Sequence, residues 1–203
     1  IEAKELDQAG LDEALIALDG TENKSRLGAN AILCVSLSFA RASADEQKIP
    51  LYKYIGSLAG ATDFKLPQPM FNVINGGKHA NSGLDIQEFM LAPTGFDSFR
   101  TKVQAAAEVI TALKKILEAK NYATSVGDEG GFAPKLCTNE EAFDLLLGAI
   151  EHAGYTTNEI QIGIDVAASG FYTLGAYSLK HCDKGPQTTA DMIAWYEKII
   201  NTY

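Results

Sequence analysis

The sequence predicts an α/β chain built in two parts. A helical first part precedes a second in which strands and helices alternate, the parallel layout of an open doubly wound sheet or of part of a βα barrel. Three observations predict it. Up to about Ala61 apolar residues recur at helical spacing with no convincing strand. Residues 60–69, GATDFKLPQP, then carry the glycine and proline chemistry of a linker. Beyond them, short apolar runs of strand length alternate with longer amphipathic stretches. These signals divide the chain at 1–61, a linker at 62–69, and 70–203.

Taken in order, Leu11, Leu15 and Leu18 lie at i, i+4 and i+7, one face of a helix that stops at Asp19-Gly20. A second helix runs from about Gly28. Its residues Ala29, Ala31, Ile32, Leu33, Val35, Leu37, Phe39 and Ala40 leave almost no polar face, so it requires cover on most sides. Pro50 is placed to open a third, short helix with Leu51, Tyr52, Tyr54 and Ile55. After the linker, Met70 to Asn75 and Ile86 to Leu91 read as two buried strands. The positions Phe99, Val103, Ala106, Ile110, Leu113 and Leu117 mark a long amphipathic helix capped by Asp97 or Ser98. Thr138-x-x-Glu141 is a capping-box pattern that opens the next helix, which stops at Gly154. Ile160 to Val166 alternates strictly and is a strand, Gly175 to Leu179 adds a small hairpin, and Thr188 starts a last helix with Met192, Trp195, Ile199 and Tyr203 on one face.

Composition narrows the function. With 26 acidic against 17 basic residues the net charge is -9, which argues against a polyanionic partner such as nucleic acid or an anionic membrane surface. No apolar stretch reaches the roughly 18 residues of a membrane span, and the first residues lack the pattern of a signal peptide. Three widely spaced cysteines, Cys34, Cys137 and Cys182, fit neither a disulfide framework nor a zinc site and point to reduced thiols in a cytosol. The chain lacks an initiating Met and reads as a piece of something longer.

Four places offer reactive groups. The loop from Asn75 to Gly83, NGGKHANSG, presents backbone N–H groups with Lys78 and His79; it reads either as an anion cradle or as a polar turn with a solvated histidine. Glu88 stands inside an apolar run, where a charge is costly to bury, so it is either half of a structural ion pair or faces a polar site. Gly127-Asp-Glu-Gly-Gly131 sets adjacent carboxylates in a tight backbone, as metal ligand, general acid or plain acidic turn. Asp165 ends a strand whose Ile160, Ile162, Ile164 and Val166 share the opposite face. Active sites of βα barrels and parallel sheets lie at such carboxyl ends, and an Asp there suits Mg²⁺; the alternative is a helix cap or ion pair.

These residues also carry a family likeness. Leu18 to Leu33 (LDGTENKSRLGANAIL), Asn72 to Ala80 (NVINGGKHA), Gln87 to Gly95 (QEFMLAPTG), Val126 to Pro134 (VGDEGGFAP) and Gly163 to Ala167 (GIDVA) together resemble enolase, in that family's order and close to its spacings. The resemblance covers essentially the whole chain. It implies the helical part of an α+β N-terminal domain followed by the first strands and helices of a modified βα barrel. It further implies interconversion of 2-phosphoglycerate and phosphoenolpyruvate in the cytoplasm, two Mg²⁺ ions and a homodimer. By the same resemblance Glu129 matches the proton donor to the leaving hydroxyl, and Glu88 a second carboxylate at the reacting end of the substrate. His79 matches a loop histidine that approaches the substrate, and Asp165 one of three carboxylates on the tightly held Mg²⁺. The reaction needs such a set, because removing a proton beside a carboxylate concentrates negative charge that cations must offset, and expelling hydroxide requires an acid.

The resemblance also marks what residues 1–203 do not contain: the serine loop, the Ile-Glu-Asp-Pro strand, the third metal carboxylate, the lysine base and the basic residues that bind substrate. One local departure is Ser169-Gly170-Phe171, where the family usually has Ser-Glu-Phe. Two rival readings are a truncated non-catalytic binding or structural module, with Gly170 as a mark of decay, and another Mg²⁺-dependent enzyme of the same superfamily. Residues 1–203 alone are therefore expected to show no dehydratase activity. They are also expected to be poorly soluble, because three strands leave open sheet edges and the helix from Ile32 to Phe39 uncovered. Turnover of 2-phosphoglycerate by the purified piece, or a sharp cooperative melt of a monomer, would contradict these two expectations.

Overall fold

The computed structural model describes residues 6–127, 129–179 and 185–203. Two compact units divide the chain, Ile1–Lys65 and Leu66–Tyr203. In the first unit α1 (Gln8–Asp19) is capped by Asp7 and α2 (Ala29–Glu46) packs beside it. The buried stripe of α1 is Gln8, Leu11, Leu15 and Asp19, so Leu18, expected on that stripe, is instead exposed. Polar residues hold these inward positions largely through hydrogen bonds, although Gln8 Oε1 has no partner among the described residues. The Gln8 amide donates to the Ser36 hydroxyl at 3.1 Å, and Asp19 accepts from the Thr21 hydroxyl, the Thr21 amide at 3.0 Å and the Leu27 amide at 2.6 Å. These bonds, with the Thr21 hydroxyl first, hold the Asp19 carboxyl below its ordinary value.

Pro50 opens α3 (Leu51–Leu58), as its fixed backbone angle allows. Tyr54 packs with Ala40 and Ala44 of α2. Leu33, Val35 and Leu37 on α2 remain exposed, so the cover that this apolar helix calls for is not supplied by the described residues. No helix among the described residues is long and apolar enough to cross a membrane.

The second unit carries a sheet of β1 (Phe71–Asn75), β2 (Glu88–Ala92) and β3 (Gln161–Asp165) in the order β1-β2-β3. Both neighbouring pairs are antiparallel, which corrects the parallel layout expected from sequence. The connections explain it. Residues 76–87 hold no helix, so the chain turns back on itself instead of crossing over. Between β2 and β3 stand two helices packed on each other, α4 (Phe99–Ala119) and α5 (Asn139–His152). One helix would return the chain to the start of β2 and give a parallel strand; a pair leaves it at the far end, and β3 runs back.

The alternation read in the third strand holds, with Ile160, Ile162, Ile164 and Val166 joining the core and Gln161 and Asp165 exposed on the other face. Phe89 pairs in register with Ile164 and Ile74, is fully buried, and meets Phe143 of α5 edge to face at 5.2 Å. On α4 the inward stripe is Ala105, Ala106, Val109, Ala112, Leu113 and Leu117; Phe99 and Val103, expected inward, are exposed at the first turns. Ser98 rather than Asp97 caps this helix.

Thr138 caps α5 by accepting from the Glu141 amide at 3.2 Å. The Glu141 carboxylate, however, accepts from the Cys137 amide at 2.6 Å rather than from Thr138, so only half of the expected box forms. The complete box opens α6 (Thr189–Thr202), where Thr188 and Asp191 bond each other's amides. The small hairpin, β4 (Tyr172–Thr173) and β5 (Ala176–Tyr177), turns at Leu174 and Gly175, a few residues earlier than expected. Cys34 and Cys137 are free and exposed; Cys182 lies outside the described residues. Phe89→Ala, which empties the point where sheet and helices meet, is expected to cost about 3–5 kcal/mol in denaturant unfolding.

Candidate functional site

The antiparallel placement of β2 decides where the site lies. Asn75 ends β1, Glu88 begins β2 and Asp165 ends β3, and the three stand in register across the sheet. Cross-strand partners share a face. The face of Asp165 is opposite to the isoleucines that pack into the core, so the carboxylates of Glu88 and Asp165 meet on the side away from the helices.

Two loops complete the cluster. His79 belongs to the loop between β1 and β2, which is folded on itself by the Gly76 amide to Gln87 carbonyl (2.9 Å), Gly77 amide to Leu84 carbonyl (3.0 Å) and His79 amide to Gly76 carbonyl (3.0 Å) bonds. Its far end is tied to α5, where buried Asn139 accepts from the amides of Asp85 at 3.1 Å and Ile86 at 3.3 Å. Glu129 sits at the tip of the loop 127–131, closed by the Gly127 amide to Gly131 carbonyl bond at 2.8 Å and laid against the outer edge of β1. Asp128 lies outside the described residues.

The imidazole of His79 is placed between the two glutamates. Nδ1 stands 3.5 Å from a Glu88 oxygen and Nε2 stands 3.7 Å from a Glu129 oxygen. Nδ1 is buried at an ion-pair distance yet makes no directed hydrogen bond among the described residues. One ligand atom from each of His79, Glu88 and Glu129 falls within 4.8 Å of the others. Asp165 is outside that group, although it is the register partner of Glu88. Exposure is graded: 14% for the Glu88 side chain, 24% for His79 and 52% for Glu129, so the pair joins one largely shielded carboxyl to one that reaches solvent.

Burial is the main force pushing the Glu88 carboxyl above its ordinary value. Hydrogen bonding to Glu129 and the negative charges of Glu129 and Asp165 push the same way, and His79 opposes them. A carboxyl favoured in its neutral form can deliver a proton, and the imidazole of His79 lies beside it.

Asp165 has one oxygen committed, accepting from the Ala167 amide at 3.0 Å, and its side chain is exposed. An exposed carboxylate oxygen at a strand end fits a hard cation that keeps most of its water shell, such as Mg²⁺. The donor set of His79, Glu88 and Glu129, one nitrogen with two oxygens, is less suited to Mg²⁺ than an all-oxygen set. Lys78, the cation of the loop, is exposed and lines a cavity of about 100 Å³ with Gly77, Asp85, Gln87, Ala167 and Gly170. A Cβ at Gly170 would meet nothing within 4 Å, so this position opens onto space beside the site rather than supporting it.

Two domain models match the chain. The model described as the enolase N-terminal domain covers residues 1–55, and that described as the enolase C-terminal TIM barrel domain covers residues 63–203. The chain belongs to the enolase family. Its fold is accordingly α/β, an enolase-like βα barrel represented by its first strands and helices and not closed, preceded by helices of the N-terminal domain. The structure thus brings together His79, Glu88 and Glu129 and sets Asp165 beside them in register.

Reasoning from sequence missed Asn75, whose buried carboxamide lies against the Glu129 loop. The available signal was a polar side chain at the end of a strand, where the alternation places it on the same face as Glu88. For Glu88 the sign of the pH effect follows from its raised value: the fold favours the neutral acid, so Glu88 opposes stability increasingly as pH climbs above the unfolded carboxyl value. Glu88→Gln in a soluble enolase chain carrying these residues is expected to raise the melting temperature at pH 7. The gain should shrink towards zero at pH 4, read by thermal scans across that range.

Proposed function

We propose that this site serves the reversible dehydration of 2-phosphoglycerate to phosphoenolpyruvate, the hydro-lyase step of glycolysis and gluconeogenesis. The observation that carries the reading is the Glu88–Glu129 pair. A partly buried carboxyl pushed towards its neutral form stands beside a half-exposed one, at the sheet edge that also holds Asp165, in a chain that matches both enolase domains. In this reading 1–61 is the helical portion of the N-terminal domain, 62–69 the linker and 70–203 the N-terminal part of the barrel.

Dehydration removes the proton at C2 and hydroxide from C3. The Glu129 carboxyl gives its proton to the departing hydroxyl, water leaves, and a carboxylate remains; hydration runs the same transfer backwards. Glu88 supports that acid by sharing its proton and by excluding a second negative charge. His79, within 3.7 Å of Glu129 and 3.5 Å of Glu88, offsets the carboxylate formed on transfer and reaches towards the substrate. When bound, Mg²⁺ lowers the energy of the negative charge that builds on the substrate carboxylate, and Asp165 is the residue of this chain that would hold it. The base and the other metal carboxylates come from enolase segments other than residues 1–203. The setting is cytoplasmic and the assembly a homodimer.

The test is turnover of 2-phosphoglycerate by an enolase chain that carries these residues together with the rest of the barrel. Glu129→Gln keeps the size and removes the acid, and kcat is expected to fall by roughly 10²–10⁴-fold with KM changed far less. Chelation should abolish turnover and added Mg²⁺ should restore it. Undiminished kcat in Glu129→Gln would overturn the assigned role.

A further inference from the structure

We propose that Asn75 is a positioning residue whose carboxamide holds the 127–131 loop and thereby sets Glu129 opposite Glu88. The inference rests on the dehydratase reading, in which Glu129 gives the proton. Asn75 is entirely buried at the end of β1, in register with Glu88 at the start of β2. A carboxamide without solvent access is costly unless its polar atoms are used. Here they are: Nδ2 donates to the Gly131 carbonyl at 3.3 Å, and Oδ1 accepts from the Asn72 amide group.

Backbone bonds alone already fix the foot of the loop. The Asn75 amide donates to the Phe132 carbonyl and the Phe132 amide to the Val73 carbonyl, each at 2.9 Å. What the side chain adds lies higher, at the two glycines on either side of Glu129. A Cβ at Gly127 would come within 2.3 Å of Asn75 Nδ2, and one at Gly131 within 2.9 Å of Asn75 Oδ1. The loop is therefore closed down most tightly on this carboxamide, with the His79 carbonyl and the Asn72 carboxamide also close, and glycine at both flanks is what permits the approach. Because the backbone of Asn75 faces Glu88 and its side chain faces the Glu129 loop, a single residue fixes the spacing of the two carboxyl groups. Leucine fills a comparable volume and has no group to donate to the Gly131 carbonyl.

The test uses an enolase chain that carries these residues with the rest of the barrel. Asn75→Ala and Asn75→Asp are compared; the second keeps the shape but turns an oxygen towards the Gly131 carbonyl. Both are expected to lower kcat on the order of 10–100-fold with KM moved less than about threefold, since displacing an acid by an ångström costs that much. In a Glu129→Gln background, Asn75→Ala should add no further loss, because it acts through Glu129.

Amide hydrogen exchange over 126–132 should quicken by about tenfold or more, while exchange at 89–91 stays unchanged. Additive losses in the double variant, unaltered exchange of the loop, or wild-type kcat in Asn75→Asp would each overturn the proposal. Absence of 2-phosphoglycerate turnover in the unsubstituted protein would overturn the dehydratase reading instead, and exchange of the loop would still decide whether Asn75 holds it.

Discussion

A strand that begins where its two neighbours end is the constraint on which the rest of this site depends. Because β2 runs against both β1 and β3, the first residue of β2 lies level with the last residues of the others. Three polar side chains, Asn75, Glu88 and Asp165, come to one edge without any loop having to carry them there. In an all-parallel sheet Glu88 would lie at the opposite edge from Asp165. The hairpin of α4 and α5 enforces the arrangement, and its core contacts, centred on Phe89 and Phe143, hold the sheet that fixes the carboxylates.

That fixed edge is electrostatically unfavourable. Glu88 is buried beside two other acids, and its displaced titration reflects free energy that folding has to overcome elsewhere. The buried apolar cluster of the second unit supplies the compensation, while the site keeps its acid groups closer than they would settle in water. Under the proposed function, stability and chemistry pull in opposite directions at this one residue, a common pattern where perturbed titration coincides with function.

Much of this was legible in the sequence, and the reasons differ from element to element. Helical spacing located α1, α2, α4 and α6, proline marked the start of α3, and strict alternation set the faces of β3, because each of these is a local property. The five motifs pointed to His79, Glu88, Glu129 and Asp165. What could not be read was direction. Periodicity is the same whichever way a strand runs, so the parallel expectation failed at β2. Rotation about a helix axis was also hidden: Leu18 and Val103 are apolar yet exposed, while Gln8 and Asp19 are polar yet buried, held by hydrogen bonds within the first unit. Asn75 escaped notice for a similar reason, the loop it contacts lying more than fifty positions away at Gly131.

The graded exposure of the two glutamates carries one more consequence. An acid that gives up its proton in each cycle must recover one before the next, and the route to solvent limits how soon. Glu129 stands on a loop tip with half of its side chain in contact with water, whereas Glu88 beneath it is nearly closed off. In the proposed role, resupply arrives from outside at Glu129, with the less accessible Glu88 behind it. In that role the loop tip is a port, and its less exposed partner the wall behind it.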